Sequence, residues 1–538
     1  MPKWSSCHNS PSSLDFIGTQ LEECSTSHEL CNESRHPGNP TRLLSIGSTP
    51  GHPIKLIESP KEKLKYAALS YCWGDAKFIR TLRSNLASHE KDIPPTDLPI
   101  VFLEAISLCH RFKVPFIWID CLCIIQADKD DWEIESGRMG SYYSNAFFTI
   151  SVTSSRNPDI PFLNVEKDKK YGLRLFPIRS LEGEGGDTKK KAIYAQLCPH
   201  WGSKQEGNLK TTYGYGPLTS RAWTWQESAL SSRTIYFCHS QIWWECKTHF
   251  MPENRTEFAF WEETFGQSRA LALAARDPFS AWVEVIAEYN LRSLTQETDR
   301  LPGISGAAER IQELMGGADY YAGIWGGEYL ALGLCWYIPG GGLFGTPKDI
   351  TTQRIPYIAP TWSWASVRGD IDILVRPERK RNFVSLIKVE KISTDVPYRD
   401  LNPFGQVTGG RLQVTGRVIE TELKYEGKDS FPVVKHGDGG KRDIYTDCVL
   451  ACDGSSARRA TSLDCDGPFV CKSDFLVVGY SRDNSQDPWY TFYVLVLGSA
   501  GIEGEDKTYC RLGIGDFNDV SLDSNWATGG SEKTIVII

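Results

Sequence analysis

The sequence predicts an α/β protein: a parallel sheet with flanking helices, then a helical segment, then a C-terminal, mainly antiparallel β domain. Two observations predict it. Between Tyr66 and Ser155, short apolar runs alternate with helical patterns, the strand–helix–strand rhythm of a parallel sheet with crossovers. From about Arg411 onward, runs such as Arg411–Ile419, Phe475–Tyr480 and Thr491–Leu497 are separated by turn residues, as in antiparallel β structure.

The elements follow in order. Residues 1–60 are rich in Ser, Pro, Asn and Gly and read as a peripheral segment. A short apolar strand begins at Tyr66 and closes in Tyr71, Trp73 and Asp75 around Gly74. Leu98, Phe102, Ala105, Ile106, Cys109 and Phe112 mark a helical stripe, with Asp97 placed to cap it and Pro99 where a first-turn proline is tolerated. Phe116–Asp120 is apolar on both faces, as a central parallel strand should be. A second helix runs from Asp128 to about Tyr143, its first turn carrying acids that suit the helix dipole. Phe147–Val152 is the next strand, Leu181–Lys191 an exposed loop, Ser220–Glu227 helix-like and Thr234–Cys238 a strand. Residues 251–340 look mostly helical, up to the Gly-rich stretch Pro339–Gly345. The resulting scheme is a peripheral segment (1–60), an α/β domain (61–250), a helical segment closing on it (251–400) and a β-rich domain (401–538). There is no internal repeat.

Composition bounds the function. The chain has 538 residues, 23% charged and 41% apolar, the profile of an ordinary globular protein of several domains. Its 17 Trp, 22 Tyr and 23 Phe suit core packing first, and an aromatic-lined pocket or an interface second. A net charge of −8 and a pI near 5.8 advertise no basic face, so no nucleic-acid partner is expected. The first residues lack the apolar core of a signal peptide, and no apolar run reaches membrane-spanning length. A cytoplasmic protein without a membrane span is the expectation. The 16 cysteines then read as buried thiols, as at Cys121, Cys123 and Cys335. Two clusters, Cys448/Cys452/Cys465/Cys471 and Cys238/His239/Cys246/His249, lack paired C-x-x-C spacing, so neither a metal nor a cofactor is expected.

Candidate site residues sit at strand ends and on one helix. Glu135 lies three residues after Trp132 and four before Met139, on one helical face. If that face packs on the sheet, the carboxyl is held against apolar groups and its pKa rises, which suits an acid or base. The bland alternative is a structural glutamate paired with a backbone group or an arginine. Asp120 and Gln126 flank a tight segment after the central strand, placed to bind ligand polar groups or to satisfy the loop's own backbone. Tyr71, Trp73 and Asp75 offer ligand contacts or turn chemistry. Arg221, Trp223, Gln226 and Glu227 form a last cluster, either a clamp for a carboxylate or phosphate or a buried ion pair.

Taken as blocks, the sequence resembles the HET (heterokaryon incompatibility) domain family of filamentous fungi. Y-A-A-L-S-Y-C-W-G-D at Tyr66–Asp75 is similar to the family's opening block. F-I-W-I-D-C-L-C-I-I-Q at Phe116–Gln126 and D-D-W-E-I-E-S-G-R-M at Asp130–Met139 resemble its central block. S-R-A-W-T-W-Q-E at Ser220–Glu227 and W-W-E-C at Trp243–Cys246 resemble its closing block. T-D-R-L-P-G-I-S-G at Thr298–Gly306, Y-A-G-I-W at Tyr321–Trp325 and A-P-T-W-S-W-A-S at Ala359–Ser366 resemble segments that follow it in many members. The resemblance implies a TIR-like domain and a role in non-self recognition between fused hyphae and the cell death that follows. Some TIR domains cleave NAD with a catalytic Glu, a role that would fall on Glu135, with Asp120 beside it. The chain departs from many members in having no G-x-x-x-x-G-K-[ST] phosphate loop and no repeats.

Beside a non-enzymatic interaction module whose aromatic surface binds a partner, two functions stand from this reading. One is an allorecognition effector, with a protein partner or recognition determinant, acting through NAD cleavage. The other is an enzyme of secondary metabolism that cyclises (by a pericyclic, Diels–Alder type step) or isomerises an apolar polyketide or terpenoid. A Trp-rich pocket with a few acids and an Arg would suit holding such a metabolite.

Overall fold

The structure, a computed structural model, describes residues 7–32, 38–166, 176–178, 193–195, 216–239, 241–253, 276–339, 357–375, 380–425, 433–435, 441–447, 450–452, 457–459, 469–482, 489–502, 507–519 and 528–538. The loop expected at Leu181–Lys191 and residues 340–345 of the Gly-rich stretch lie outside these. The chain divides into two compact units, residues 1–272 and 273–538, with the boundary inside the stretch read from sequence as helical.

The first unit is built on an eight-stranded sheet. Its strands are β1 (Arg42–Ser45), β2 (Lys55–Glu58), β3 (Tyr66–Ser70), β4 (Phe116–Trp118), β5 (Phe148–Ser151), β8 (Arg233–Phe237), β9 (Ile242–Cys246) and β10 (Phe250–Pro252). A separate two-stranded pair is formed by β6 (Phe176–Ile178) and β7 (Ile193–Ala195). The sheet order is β10-β9-β8-β5-β3-β4-β1-β2. Only the centre is parallel: β3 pairs β4 and β5, and β5 pairs β8. Both flanks are antiparallel, so the sheet is mixed rather than parallel throughout. The sequence hid this because β8 and β9 are joined by a tight turn, which reverses the strand, while β1 and β2 lie in the stretch read as peripheral.

That stretch belongs to the core. Helix α1 (Pro11–Ser27) starts at Ser10, whose hydroxyl accepts from the Ser13 amide, with Pro11 in the first turn, so the polar and proline residues are its start signal. It buries Ile17, Leu21 and Cys24, and the short α2 (Glu29–Asn32) buries Cys31. Two four-residue helices follow, α3 (Leu86–His89) and α5 (Asp120–Cys123). Helix α4 (Ile100–Arg111) links β3 to β4; Asp97 ends a preceding 3₁₀ turn and does not cap it. Helix α6 (Lys129–Asn145) links β4 to β5, and Asp128 caps it by accepting from the Asp131 amide at 3.2 Å. Helix α7 (Trp223–Ala229) precedes β8.

These connections leave β3 in one direction and return across it in the other, giving the order β4-β3-β5-β8 in the parallel core. In an open sheet of this kind, the crevice at the carboxyl ends of the strands on either side of the reversal is where ligands bind. Loops close tightly there. Gly74 has φ +56°, and a Cβ on it would sit 2.7 Å from the Arg156 carbonyl oxygen. A Cβ on Gly216 would meet the Thr153 carbonyl oxygen at 1.8 Å.

In the second unit, helices Pro278–Asn290 and Ser305–Leu314 accompany short β pairs and a mostly antiparallel sheet. Strand Gly409–Tyr425 pairs Ser531–Ile537 along its first half and Phe469–Ser481 along its second. With Tyr490–Ser499 and Thr508–Asp519 between those two, five strands close into a ring around Phe475, Val477, Phe492, Val494, Val496 and Leu512. One pair in the ring, Thr508–Asp519 with Ser531–Ile537, is parallel. Arg511 in this unit is 1% exposed. Its guanidinium donates to Asp447 Oδ2 at 2.7 Å and to the Leu334 carbonyl at 2.6 Å, and also to the Trp336 carbonyl. Removing one partner of such a buried pair strands a charge, so Asp447→Ala is expected to cost roughly 3–5 kcal/mol. Urea unfolding of the full chain checks this, and an unchanged midpoint would show that the pair holds nothing.

Candidate functional site

The carboxyl ends of β3 and β4 carry the polar groups. Tyr71 and Trp73 continue from β3, and Asp120 opens α5 just after β4. Asp120 accepts from its neighbour's amide, Cys121 N, at 2.7 Å through Oδ1 and from Trp73 Nε1 at 2.8 Å through Oδ2. The buried Tyr71 hydroxyl faces Asp120 and Cys121 without completing a hydrogen bond. Arg221, half-buried just before α7, donates from Nη1 to the Tyr71 carbonyl at 3.0 Å. Glu227, on α7, is buried beside Ser70, Tyr143, Arg221 and Asp120. The closing block of the sequence is therefore folded onto the end of its opening strand.

Electrostatics follow from that packing. Burial pushes Asp120 above the usual carboxylate range, against the pull of the Trp73 indole N–H and the nearby Tyr71 hydroxyl. Burial likewise lifts Glu227 from 4.5 to about 7, opposed by hydrogen bonding to Ser70 and by Arg221. No Arg221–Glu227 ion pair within 4.0 Å forms among the described residues, so the arginine keeps donors for another acceptor. Half-buried indoles lie on the same elements. Trp73 packs edge-on to Phe78 at 5.7 Å and lies under the exposed Arg80, 5.4 Å from the ring centroid. Trp132 and Trp223 meet edge-to-face at 6.4 Å. Two carboxyl groups whose proton affinity burial raises, an arginine and aromatic faces are a set suited to an anionic, ring-bearing ligand.

Other expected residues go elsewhere. Glu135 is fully buried on α6, but its neighbours are Thr41, Arg42 and the Tyr142 hydroxyl, which donates to Oε2 at 3.0 Å. Burial raises its pKa, against Thr41 and Arg42. The helix face that carries Trp132 and Glu135 spans two destinations: Trp132 turns to α7 and Glu135 to the β1 side. Gln126 donates to the Asp120 and Ile124 carbonyls at 3.3 and 3.1 Å, closing its own loop. Asp75 is exposed beyond Gly74, and Gln226 is fully buried on α7. Tyr143, Ser70 and Arg80 join the site without having been singled out from sequence. Tyr143 follows from extending the α6 face past Met139, since positions four apart share a helix face. Cys238 and Cys246 fall at opposite ends of the β8–β9 hairpin, about 17 Å apart at 3.4 Å per residue, so they do not form one cluster. Cys448 and Cys465 lie outside the described residues. A cavity of about 330 Å³ opens at the amino ends of the strands, lined by Lys63, Lys65, Phe147 and Arg233 among others. It is at the opposite edge from Asp120 and Glu227, where open α/β sheets do not place their chemistry.

Residues 66–227 match the family model described as Heterokaryon incompatibility protein (HET). The span begins at the first residue of β3 and ends at Glu227, and so contains Tyr71, Trp73, Asp120 and Arg221. The match covers 162 of the 538 residues, and over that span the chain is similar to the HET family. No curated protein and no solved structure matches it.

The raised Glu227 pKa has a measurable consequence. Between pH 4.5 and about 7 the folded chain holds a proton on this group that the unfolded chain has released. Its contribution makes stability fall as pH rises through that window and level off above it, by roughly 3 kcal/mol at about 1.4 kcal/mol per unit. Glu227→Gln is expected to remove that slope. Urea unfolding at about pH 5 and about pH 8 checks it: equal pH responses of wild type and variant would place the carboxyl outside this environment.

Proposed function

We propose that this HET-domain protein acts in non-self recognition of the heterokaryon incompatibility type and in the cell death that follows, through cleavage of NAD at the carboxyl edge of its sheet. The observation that carries this reading is the gathering of Asp120 and Glu227, both with raised pKa, beside the half-buried Arg221 that holds the Tyr71 carbonyl.

In the reaction, the bond between ribose C1′ and the nicotinamide nitrogen breaks, and its electron pair neutralises the pyridinium, so the leaving group needs no proton. Positive charge develops on the ribose as an oxocarbenium ion, which an ionised carboxylate beside it stabilises. Water adds at C1′ and gives a proton to that carboxylate, then to solvent, leaving ADP-ribose and nicotinamide. Glu227, titrating near neutral pH, suits this role. Arg221, with Arg80 beyond it, suits the pyrophosphate, and the Trp73, Trp132 and Trp223 rings suit the flat bases. Glu135, enclosed by Thr41, Arg42 and Tyr142, holds helix α6 in this reading rather than touching substrate.

The test pairs purified protein with a filamentous fungus under inducible expression. Nicotinamide release from NAD is expected for the wild type, falling about 10²–10⁴-fold in Glu227→Gln and persisting in folded Glu135→Gln. Expression of the wild type is expected to kill, and of equally abundant Glu227→Gln to spare. Release that survives Glu227→Gln but not Glu135→Gln would return the chemistry to α6. No release together with healthy growth would sink the reading in favour of the metabolic enzyme, whose product would then be sought among altered polyketides or terpenoids.

A further inference from the structure

A second constellation lies outside the matched span, at the other edge of the same sheet. We propose that Cys24, His28, Cys31 and Cys246 form a tetrahedral, structural zinc site that pins the two N-terminal helices to strand β9.

Local sequence brings the first three together. Cys24 lies in the last turn of α1, and His28 ends that helix in an extended conformation, its amide still donating to the Cys24 carbonyl at 3.3 Å. The chain then turns into α2, where the Cys31 amide donates to the His28 carbonyl at 3.1 Å. The spacing C-x₃-H-x₂-C is thus wound around one helix end. Cys246 comes from the last residue of β9, against which α1 packs.

The four ligand atoms all lie within 4.8 Å of one another. That separation fits a single ion. Ligands about 2.3 Å (sulfur) and 2.0–2.1 Å (nitrogen) from zinc, at tetrahedral angles, stand about 3.8 Å apart for two sulfurs and about 3.6 Å for sulfur and nitrogen. Cys246 Sγ and His28 Nδ1 are 3.6 Å apart. The three cysteines are buried and His28 half-buried, so the set supplies four protein ligands and leaves no position for a substrate, the mark of a structural site.

The surroundings suit thiolates. Arg233 Nε donates to Cys24 Sγ at 3.2 Å, the His249 amide donates to Cys246 Sγ at 3.3 Å, and Thr248 Oγ1 is 3.6 Å from Cys31 Sγ. Three thiolates and a neutral imidazole leave a zinc centre with one net negative charge, which the Arg233 guanidinium offsets. Such outer donors orient ligands and tune the metal. Arg233 is itself held by the Asn32 side chain, the residue after the third ligand, and by the Phe147 carbonyl at 3.3 Å.

The deciding experiment measures metal in the full chain, purified without added zinc. About one zinc per chain is expected, as for a Cys₃His structural site. Replacement by cobalt(II) is expected to give the thiolate charge-transfer and visible bands of a tetrahedral centre. Cys31→Ser should fall to background metal, whereas Cys238→Ser, at the far end of the hairpin, should keep the wild-type content. His28→Cys, which preserves four ligands, should also keep it. A strong chelator should lower the thermal midpoint of the wild type by several degrees and leave that of Cys31→Ser unmoved. Wild type free of metal and giving no cobalt bands would overturn the proposal, whether or not the variants fold. A native mass two hydrogens short, reversed by reductant, would replace it with a disulfide among these thiols.

Discussion

One hydrogen bond organises the HET domain: Arg221 Nη1 to the carbonyl of Tyr71, across 150 residues of sequence. A backbone carbonyl at the end of a buried parallel strand has lost its ladder partner and needs a donor. Supplying it from the closing block places α7, and with it Glu227, over the end of β3. The close passages at Gly74 and Gly216 follow from the same requirement, because the loops after β3 and β5 must both fit beneath the returning segment. The grouping of polar side chains at this edge is thus a by-product of how the domain is closed. The residues that shut the sheet are also the ones that bring a cation and an acid to its ligand-binding end.

The same device recurs with other arginines. Arg42 donates from Nε to the Cys123 carbonyl at 2.7 Å while its Nη2 binds Asp131, fixing the segment after β4. In the second unit, Arg511 holds the carbonyls of Leu334 and Trp336 together with Asp447. A guanidinium carries five donors in a rigid fork, so one side chain can satisfy backbone acceptors and a carboxylate at once. That matters in a chain with many short strands, where many loop carbonyls end up buried. Arg221 differs from the other two because, among the described residues, no carboxylate lies within ion-pair distance of it.

How far the sequence reached follows from the range of each signal. Local patterns carried α6, whose Asp128 cap and acidic first turn are read within four residues, and β4, whose apolar run is short and buried. They carried the family resemblance for the same reason, since each block is contiguous. They failed where a side chain's destination depends on a neighbour distant in sequence. Helical periodicity correctly set Trp132 and Glu135 on one side of α6, yet it could not say that one would meet Trp223 and the other Tyr142 and Thr41. Composition misled at the N-terminus, where Ser10, Pro11 and Ser13 look like loop residues but start α1. Spacing within one segment could not group the residues of the proposed metal cluster either, because Cys246 meets a helix end more than 200 residues earlier.

Glu135 and Glu227 show why a raised pKa does not by itself identify a reacting group. Both are buried, and in both burial is the largest cause of the shift. What separates them is access and company. Glu135 is enclosed between α6 and the β1 side, with the Tyr142 hydroxyl on one oxygen, so a substrate could reach it only by parting helix from sheet. Glu227 lies beside Asp120 and Arg221, which keep part of their surface in solvent. Burial raises a carboxyl group's affinity for its proton. Only a position at the open end of the strands lets it exchange that proton with something that arrives from outside.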